Sequence, residues 1–491
     1  MLLLGLDIGT SSVKASVVDA ATGRLLAAAS YPEAESDILV LHPGWAEQSP
    51  DQWWEDVKQA ILKCHASGKY NAHDIKAIGI AYQMHGLVLV DKEQHVLRNA
   101  IIWCDSRAVD IGNKAFEAIG PEKSLSHLLN SPGNFTASKL AWVKENEPAF
   151  YQKINKAMLP GDFIAMKMTG EITTTVPALS EGVLWDFKEN KISADVTGYF
   201  GFDTSLFPDI KPLFAPHGCL KDTVATRLSL KAGIPVTYKA GDQPNNALSL
   251  NVLRPGEVAA TAGTSGVIYA VTDQLASDPG SRINSFAHVN HQAADPRIGV
   301  LLNINGCGIM NRWIKDKAGA ALSYPQMNTA AAAVKPGCEG LLTLPFGNGA
   351  ERMLYNKMVG AHLQNLDLNV HTAAHLYRSV QEGIAFAFRY GFDIMRENGI
   401  QPAVIRAGRA NLFLSDVFAQ AFADVNNVAL EFYEGDGSYG AAIGAGIGAG
   451  IYNDAEAMQE RKPVAAIQPA NAAKYNELYE VWKKTLLDKL Q

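Results

Sequence analysis

A chain of 491 residues is longer than one hydrophobic core supports, so two or more domains are expected. Its 47% apolar content is that of a folded soluble protein, and a net charge of −7 without basic blocks excludes the electrostatic footprint of nucleic-acid binding or of attraction to anionic membranes. Five scattered cysteines without CxxC spacing imply neither a disulfide framework nor a zinc site, and fit a reducing cytoplasm.

The opening "MLLLGLDIG" has a short apolar run, no basic lead and an acid at position 7, so it reads as a strand rather than a signal peptide. Strands are expected over 2–6, 13–18 and 25–29, with a turn at Ala21-Thr22-Gly23. The first turn, "DIGTSS", joins an acid, a glycine and hydroxyls. It is not the GxxxxGK[ST] phosphate loop, because alternation resumes after it as a strand instead of a helix. Alone it is better explained as a polar hairpin turn. In "SPDQWWEDVKQAILKC", Ser49 is a good helix cap and Pro50 suits the first helical position. Trp53, Trp54, Val57 and Ile61 share that helix's inner side and are assigned to the core. "IKAIGIAYQMHGLVLVD" gives two strands interrupted at Gln83-Met84-His85-Gly86. Met84 and His85 could be core residues, but four consecutive residues breaking an apolar strand pair favour a site. "AIIWCDSRAV" is a strand ending at Asp105 and Arg107, read as a structural ion pair, and "FTASKLAWVKENEP" is a helix capped near Thr136 and stopped by Pro148. "IPVTYKAGDQPNNALSLNV" reads strand, acidic turn, helix. Asp242 stands at a strand's end, where α/β sheets hold ligands, although a helix cap ahead of Pro244 fits the local sequence equally well.

The turn then recurs. "TAGTSGVIYAVTD" aligns Gly263 with Gly9, Thr264 with Thr10, Ser265 with Ser11 and Val267 with Val13, a constant offset of 254 residues. Two strand–GTS–strand hairpins, one per half, predict a duplicated architecture whose loops face each other across a cleft. Backbone amides in such turns form anion nests, and hydroxyls add donors, so a polyphosphate could be held from both sides. Further on, 371–397 is strongly helical, and "AVIRAGRANLFLSDVFAQAFADV" gives a strand, a loop over 407–411 and a helix. "GSYGAAIGAGIGAGIY" has glycines four apart, as in paired membrane helices, but is shorter than the roughly 20 residues a span requires. With Asp436 and Asp454 near its ends, it reads as a glycine-faced helix that admits another backbone. The domain boundary falls around 245–255, giving domains 1–247 and 248–491. No Pro- or Ser-rich linker separates them, so an inter-domain cleft is expected.

In this order, "LDIGTSSVK", "GWAEQSPDQWW", "IKAIGIAYQMHGLVLVD", "AIIWCDSR", "AGDQPNNA" and "TAGTSG" resemble the FGGY carbohydrate kinase family of the actin/hexokinase/heat-shock-chaperone superfamily, from Leu2 to about Tyr452. The resemblance implies two α/β domains of related ribonuclease H-like topology around a cleft. It also implies a cytoplasmic sugar kinase whose partners are a small sugar and ATP, with Mg²⁺ as cofactor and no nucleic acid or membrane; a homodimer is open to it. "QMHG" is most similar to the xylulose-phosphorylating members, which implies transfer to D-xylulose; L-ribulose, rhamnulose, gluconate or glycerol are the alternatives within the family. A nucleotide-switched binding protein like actin or a chaperone is the alternative of another class. Carried onto this sequence, the resemblance makes Asp242 the base that accepts the sugar hydroxyl proton, and Met84, His85, Asp242 and Gln243 the sugar contacts. Thr10, Ser11, Gly263, Thr264 and Ser265 would cradle phosphates, Gly408 and Asn411 would meet the nucleotide, and Asp7 would hold Mg²⁺ directly or through water. Lys14 could face the phosphates or solvent. Two departures bear on the adenosine contacts. The adenosine loop is "RAGRANLFLSD", with Gly408 where the family has two or three glycines, and "GNGAERML" stands at Glu351-Arg352.

Overall fold

Near-continuous apolar runs in the strands of the first half require cover on both faces of their sheet. A computed structural model describes residues 1–318, 322–452 and 461–491; Asp454 lies outside the described residues. In the first half, β1 (Leu2–Ile8), β2 (Val13–Asp19) and β3 (Leu25–Tyr31) form an antiparallel meander. The helix α1 (Pro50–Ala66) starts as its sequence dictates, with Ser49 accepting from the Gln52 amide and Pro50 in the first turn. Next come β4 (Ile75–Tyr82), parallel to β1, the helices α2 (Thr136–Asn146) and α3 (Pro160–Thr169), then β5 (Val236–Gly241), parallel to β4, and α4 (Asp242–Ser249). The sheet order is β5-β4-β1-β2-β3. Trp53, Trp54, Val57 and Ile61 of α1 are buried in the same core as β1 and β2, as their spacing predicts.

The second half repeats this pattern. β6 (Glu257–Ala262) and β7 (Gly266–Thr272) form the second hairpin, and β8 (Asn284–Ala287) and β9 (Ile298–Ile304) extend it antiparallel. After α5 (Gly308–Ala318) and the long α6 (Ala373–Glu397) come β10 (Val404–Gly408), parallel to β6, then α7 (Asp416–Asn426), and β11 (Leu430–Tyr433), parallel to β10. The helix α8 (Gly437–Gly448) and an edge strand, β12 (Ala465–Ile467), follow. Within the order β8-β9-β7-β6-β10-β11-β12, the run β9-β7-β6-β10-β11 matches β3-β2-β1-β4-β5 strand for strand and direction for direction. The molecule is therefore a two-domain α/β protein in which the two GTS turns occupy equivalent hairpins. Among the described residues, no helix is long and apolar enough to cross a membrane.

The glycine-faced segment is the helix α8, and the backbone it admits is that of the first sheet. A Cβ at Gly79 of β4 would lie 1.9 Å from the Ala441 carbonyl oxygen, and one at Gly448 would lie 2.0 Å from that of Thr237 in β5. Helix and sheet thus meet backbone to backbone, which brings the N-terminus of α8 against the end of β1. Gly79→Ala is expected to lower stability by about 1–3 kcal/mol through overpacking. Gly198→Ala, where a Cβ meets nothing within 4 Å, serves as control and should not lower it. Thermal denaturation of both variants checks this; equal melting temperatures would remove the close-packing account.

Candidate active site

The loop 9–12 is closed by the Gly9 amide donating to the Ser12 carbonyl at 3.1 Å. Ser11 is exposed there. Just before it, Asp7, the penultimate residue of β1, lies against the first turn of α8. A Cβ at Gly437 would lie 2.3 Å from its Oδ2, so only glycine leaves that carboxylate its place. Loss of solvent raises the Asp7 pKa to about 6; Lys14 opposes the rise and Asp436 adds to it. Lys14 is half-exposed with its ammonium 3.9 Å from Asp436, the residue that caps α8, and stands opposite Asp7 in the β1–β2 ladder.

A cavity of about 340 Å³ lies between the two halves. From the first half it is lined by Met84, His85, Trp103, Asn134, Asp242 and Gln243, and from the second by Ser265, Asn284, Asn303 and Arg352. His85 has a left-handed backbone (φ 62°), and its Nδ1 lies 2.9 Å from the Glu181 carbonyl oxygen. A carbonyl only accepts, so the proton sits on Nδ1 and Nε2 is left as an acceptor. Burial, helped by Lys139, pushes the imidazole pKa down to about 3, so the ring is neutral. The fully buried Lys139 of α2 donates to the His85 carbonyl at 2.9 Å and the Ile102 carbonyl at 3.0 Å, fixing the loop that carries His85. Arg352 bonds the Asn284 side chain and lines this cavity, so the segment of the second departure borders it.

Asp242 is the first residue of α4. The cap position is Gly241, and no side-chain cap bond is made there, so the helix-cap reading of Asp242 finds no support. Its Oδ2 takes a long bond of 3.3 Å from the Gln243 amide. Desolvation, and then the charge of Asp7, raise its pKa to about 7. A carboxylate poised near neutrality inside a pocket suits general-base work.

A larger cavity, about 630 Å³, is lined by Gly263, Thr264, Gly308, Asn328 and Asn411 among others. The Gly308 amide, opening α5, donates to the Gly263 carbonyl at 3.0 Å and Ile309 to that of Thr264 at 3.1 Å, which braces the second loop. Asn411 brings its side-chain amide to within 3.6 Å of where a Gly263 Cβ would stand. Gly408 ends β10 and is not among the residues lining this cavity. The second GTS loop therefore borders both cavities, with Gly263 and Thr264 facing the large one and Ser265 the small one.

Residues 2–249 match the model of the FGGY family of carbohydrate kinases, N-terminal domain, and residues 258–449 match that of its C-terminal domain. The chain belongs to the FGGY family of carbohydrate kinases. It is 29% identical to the xylulose kinase of Bacillus subtilis over 98% of this chain and 96% of that one. With the xylulose kinase of Klebsiella pneumoniae it shares 30% identity over 90% and 88%. A solved xyloylose kinase from Brucella ovis superimposes with a TM-score of 0.88 at 27% identity, covering 100% of both chains. As an FGGY kinase it is a sugar kinase with ATP as co-substrate.

Several pocket residues of this FGGY kinase escape sequence reasoning. Trp103, Asn134, Asn284 and Asn303 come from four separate segments, and only the folded chain gathers them. Lys139 of α2, not singled out in the sequence, is fully buried. Asp105 and Arg107 form the expected ion pair at 2.7 Å; the guanidinium also meets Glu47 at 2.7 Å and stacks 3.8 Å from the Trp45 ring centroid.

Proposed function

We propose that this FGGY kinase transfers the γ-phosphoryl group of MgATP to O5 of D-xylulose, giving D-xylulose 5-phosphate. The observation that carries the reading is the second GTS loop on the border of two cavities, one sized for a nucleoside and one for a small sugar. Phosphoryl transfer is mostly positioning and charge stabilisation, with a base to receive the hydroxyl proton. Asp242 is that base: its carboxylate lines the sugar cavity and its pKa is already near 7. His85 accepts a hydrogen bond from a sugar hydroxyl at Nε2, Met84 supplies an apolar wall, and Gln243 steadies both sugar and Asp242. The backbone amides of Thr10, Ser11, Gly263, Thr264 and Ser265 cradle phosphate oxygens. Asn411 meets the nucleotide, whereas Gly408, at the end of β10, is not among the residues lining that cavity. Asp7 would hold the magnesium. The fit is the carboxylate cradle that Gly437 leaves open, a hard oxygen donor beside the phosphate loop. Mg²⁺ bound there supplies neutralising charge for the phosphates.

The choice of D-xylulose rests on the likeness of "QMHG" and on the xylulose kinases to which the chain is similar. A coupled assay across D-xylulose, L-ribulose, rhamnulose, gluconate and glycerol is expected to give the highest kcat/KM for D-xylulose. A much higher value for any other acceptor would replace the substrate and leave the family assignment intact.

A further inference from the structure

We infer that the Thr10 hydroxyl is not a phosphate donor: it is the end of a buried relay, Trp53–Gln48–Gln83–Thr10, that braces the first phosphate loop and ties it to the sugar pocket at Trp103. The inference rests on reading 9–12 as a phosphate loop.

Hydrogen-bond direction fixes the relay. The indole N–H of Trp53 is a donor only, so the atom of Gln48 that faces it at 3.1 Å is the acceptor Oε1. Gln48 Nε2 then faces the carbonyl oxygens of Thr10 at 2.7 Å and Asp37 at 3.3 Å, which only accept, so both ends of the amide give the same orientation. That Oε1 also receives Gln83 Nε2 at 3.0 Å. Gln83 must therefore present its own Oε1 to the Thr10 hydroxyl, 3.4 Å away, and the hydroxyl must donate. The indole N–H of Trp103 meets the same Oγ at 2.9 Å and can only donate. A hydroxyl has one proton. Thr10 directs that proton to Gln83 and offers a lone pair to Trp103, so none remains for a phosphate oxygen.

Two consequences follow. Gln83, although it opens the "QMHG" stretch beside the sugar pocket, has its side chain buried and turned toward the phosphate loop, so it positions Thr10 and does not choose the sugar. Trp103 is 49% exposed, lines the sugar cavity and holds Thr10, so a sugar that bears on the indole bears also on the loop that receives ATP.

The test is a double-mutant cycle in the full-length enzyme, read as kcat/KM for ATP at saturating sugar. Thr10→Val and Gln83→Met are each expected to lower it by about 10-fold, the equivalent of one lost hydrogen bond, and the double variant by no more than either alone. KM for the sugar should stay within about two-fold, and Thr10→Ser, which keeps the hydroxyl, should recover most of what Thr10→Val loses. If Gln83→Met does not fold, Trp103→Phe, which removes one N–H from a half-exposed ring, completes the cycle with Thr10→Val, and coupling is again expected. Additive losses in the cycle, or normal ATP kinetics in a folded Gln83→Met enzyme, would overturn the relay and return the Thr10 hydroxyl to the phosphate. Failure of the kinase reading is seen separately, as a wild-type enzyme that phosphorylates no sugar.

Discussion

Asp242→Asn is expected to lower kcat by about 100-fold or more at saturating sugar and ATP, the contribution of a positioned general base. Sugar affinity should stay within a few-fold, because the amide oxygen still accepts a hydrogen bond while the side chain can no longer take the proton. A structural role predicts the reverse. Gly241, not Asp242, occupies the cap position of α4, and Asn caps helices about as well as Asp, so a capping residue would leave kcat unchanged. The melting temperature adds a second readout. The folded-state pKa of Asp242 is raised from 3.8 to about 7, by burial and then by Asp7. Between those values the folded form binds more protons than the unfolded one, so this residue's contribution to stability falls as pH rises through the window. The neutral Asn escapes that loss, and the variant should be no less stable than wild type at pH 8. A folded Asp242→Asn enzyme with near-normal kcat would end the base assignment.

The parts of this architecture that were legible in the sequence are those written locally. Alternation set the strands of both hairpins, Ser49 and Pro50 set the start of α1, and the constant offset between Gly9 and Gly263 anticipated two sheets of one topology. The glycine spacing of 440, 444 and 448 told that a backbone would approach, but not whose: α8 follows β11 of the second sheet in the chain and packs on the first sheet. The site divides in the same way. Asp7 is an acid in an otherwise apolar strand, Asp242 opens a helix at a strand's end, and Met84, His85 and the GTS turns stand between strands; each of these breaks is visible in a linear sequence. Trp103, Asn134 and Asn303 are ordinary residues in ordinary segments, and they join the pocket only because 103, 134 and 303 converge in three dimensions. The role of Gln83 was hidden for another reason. Its neighbours Met84 and His85 line the smaller cavity, but the side chain at 83 turns toward Gln48 and Thr10, and a run of four residues does not reveal which way each one turns.

Asp7→Asn is expected to fold normally and to lose turnover by about 100-fold or more at saturating sugar, since a metal at transferring phosphates is worth several kcal/mol of charge stabilisation. Asn is nearly the same size as Asp, so it keeps the contact with Gly437 at the start of α8, and the relief of a desolvated charge means that the melting temperature should not fall. The distinguishing measurement is the magnesium dependence against pH. Burial first, and then Asp436, raise the Asp7 pKa to about 6 against the opposing Lys14. Protons and magnesium compete for one carboxylate, so in the wild-type enzyme the Mg²⁺ concentration for half-maximal rate should climb as pH falls through about 6. In Asp7→Asn that concentration should be high at every pH, because the titrating group is gone. A turn-stabilising acid would behave otherwise: its loss would lower the melting temperature and leave the magnesium requirement where it was. Undiminished activity in Asp7→Asn, or in the wild-type enzyme with chelator in excess, would remove Asp7 from the metal and leave the phosphates to the two backbone loops alone.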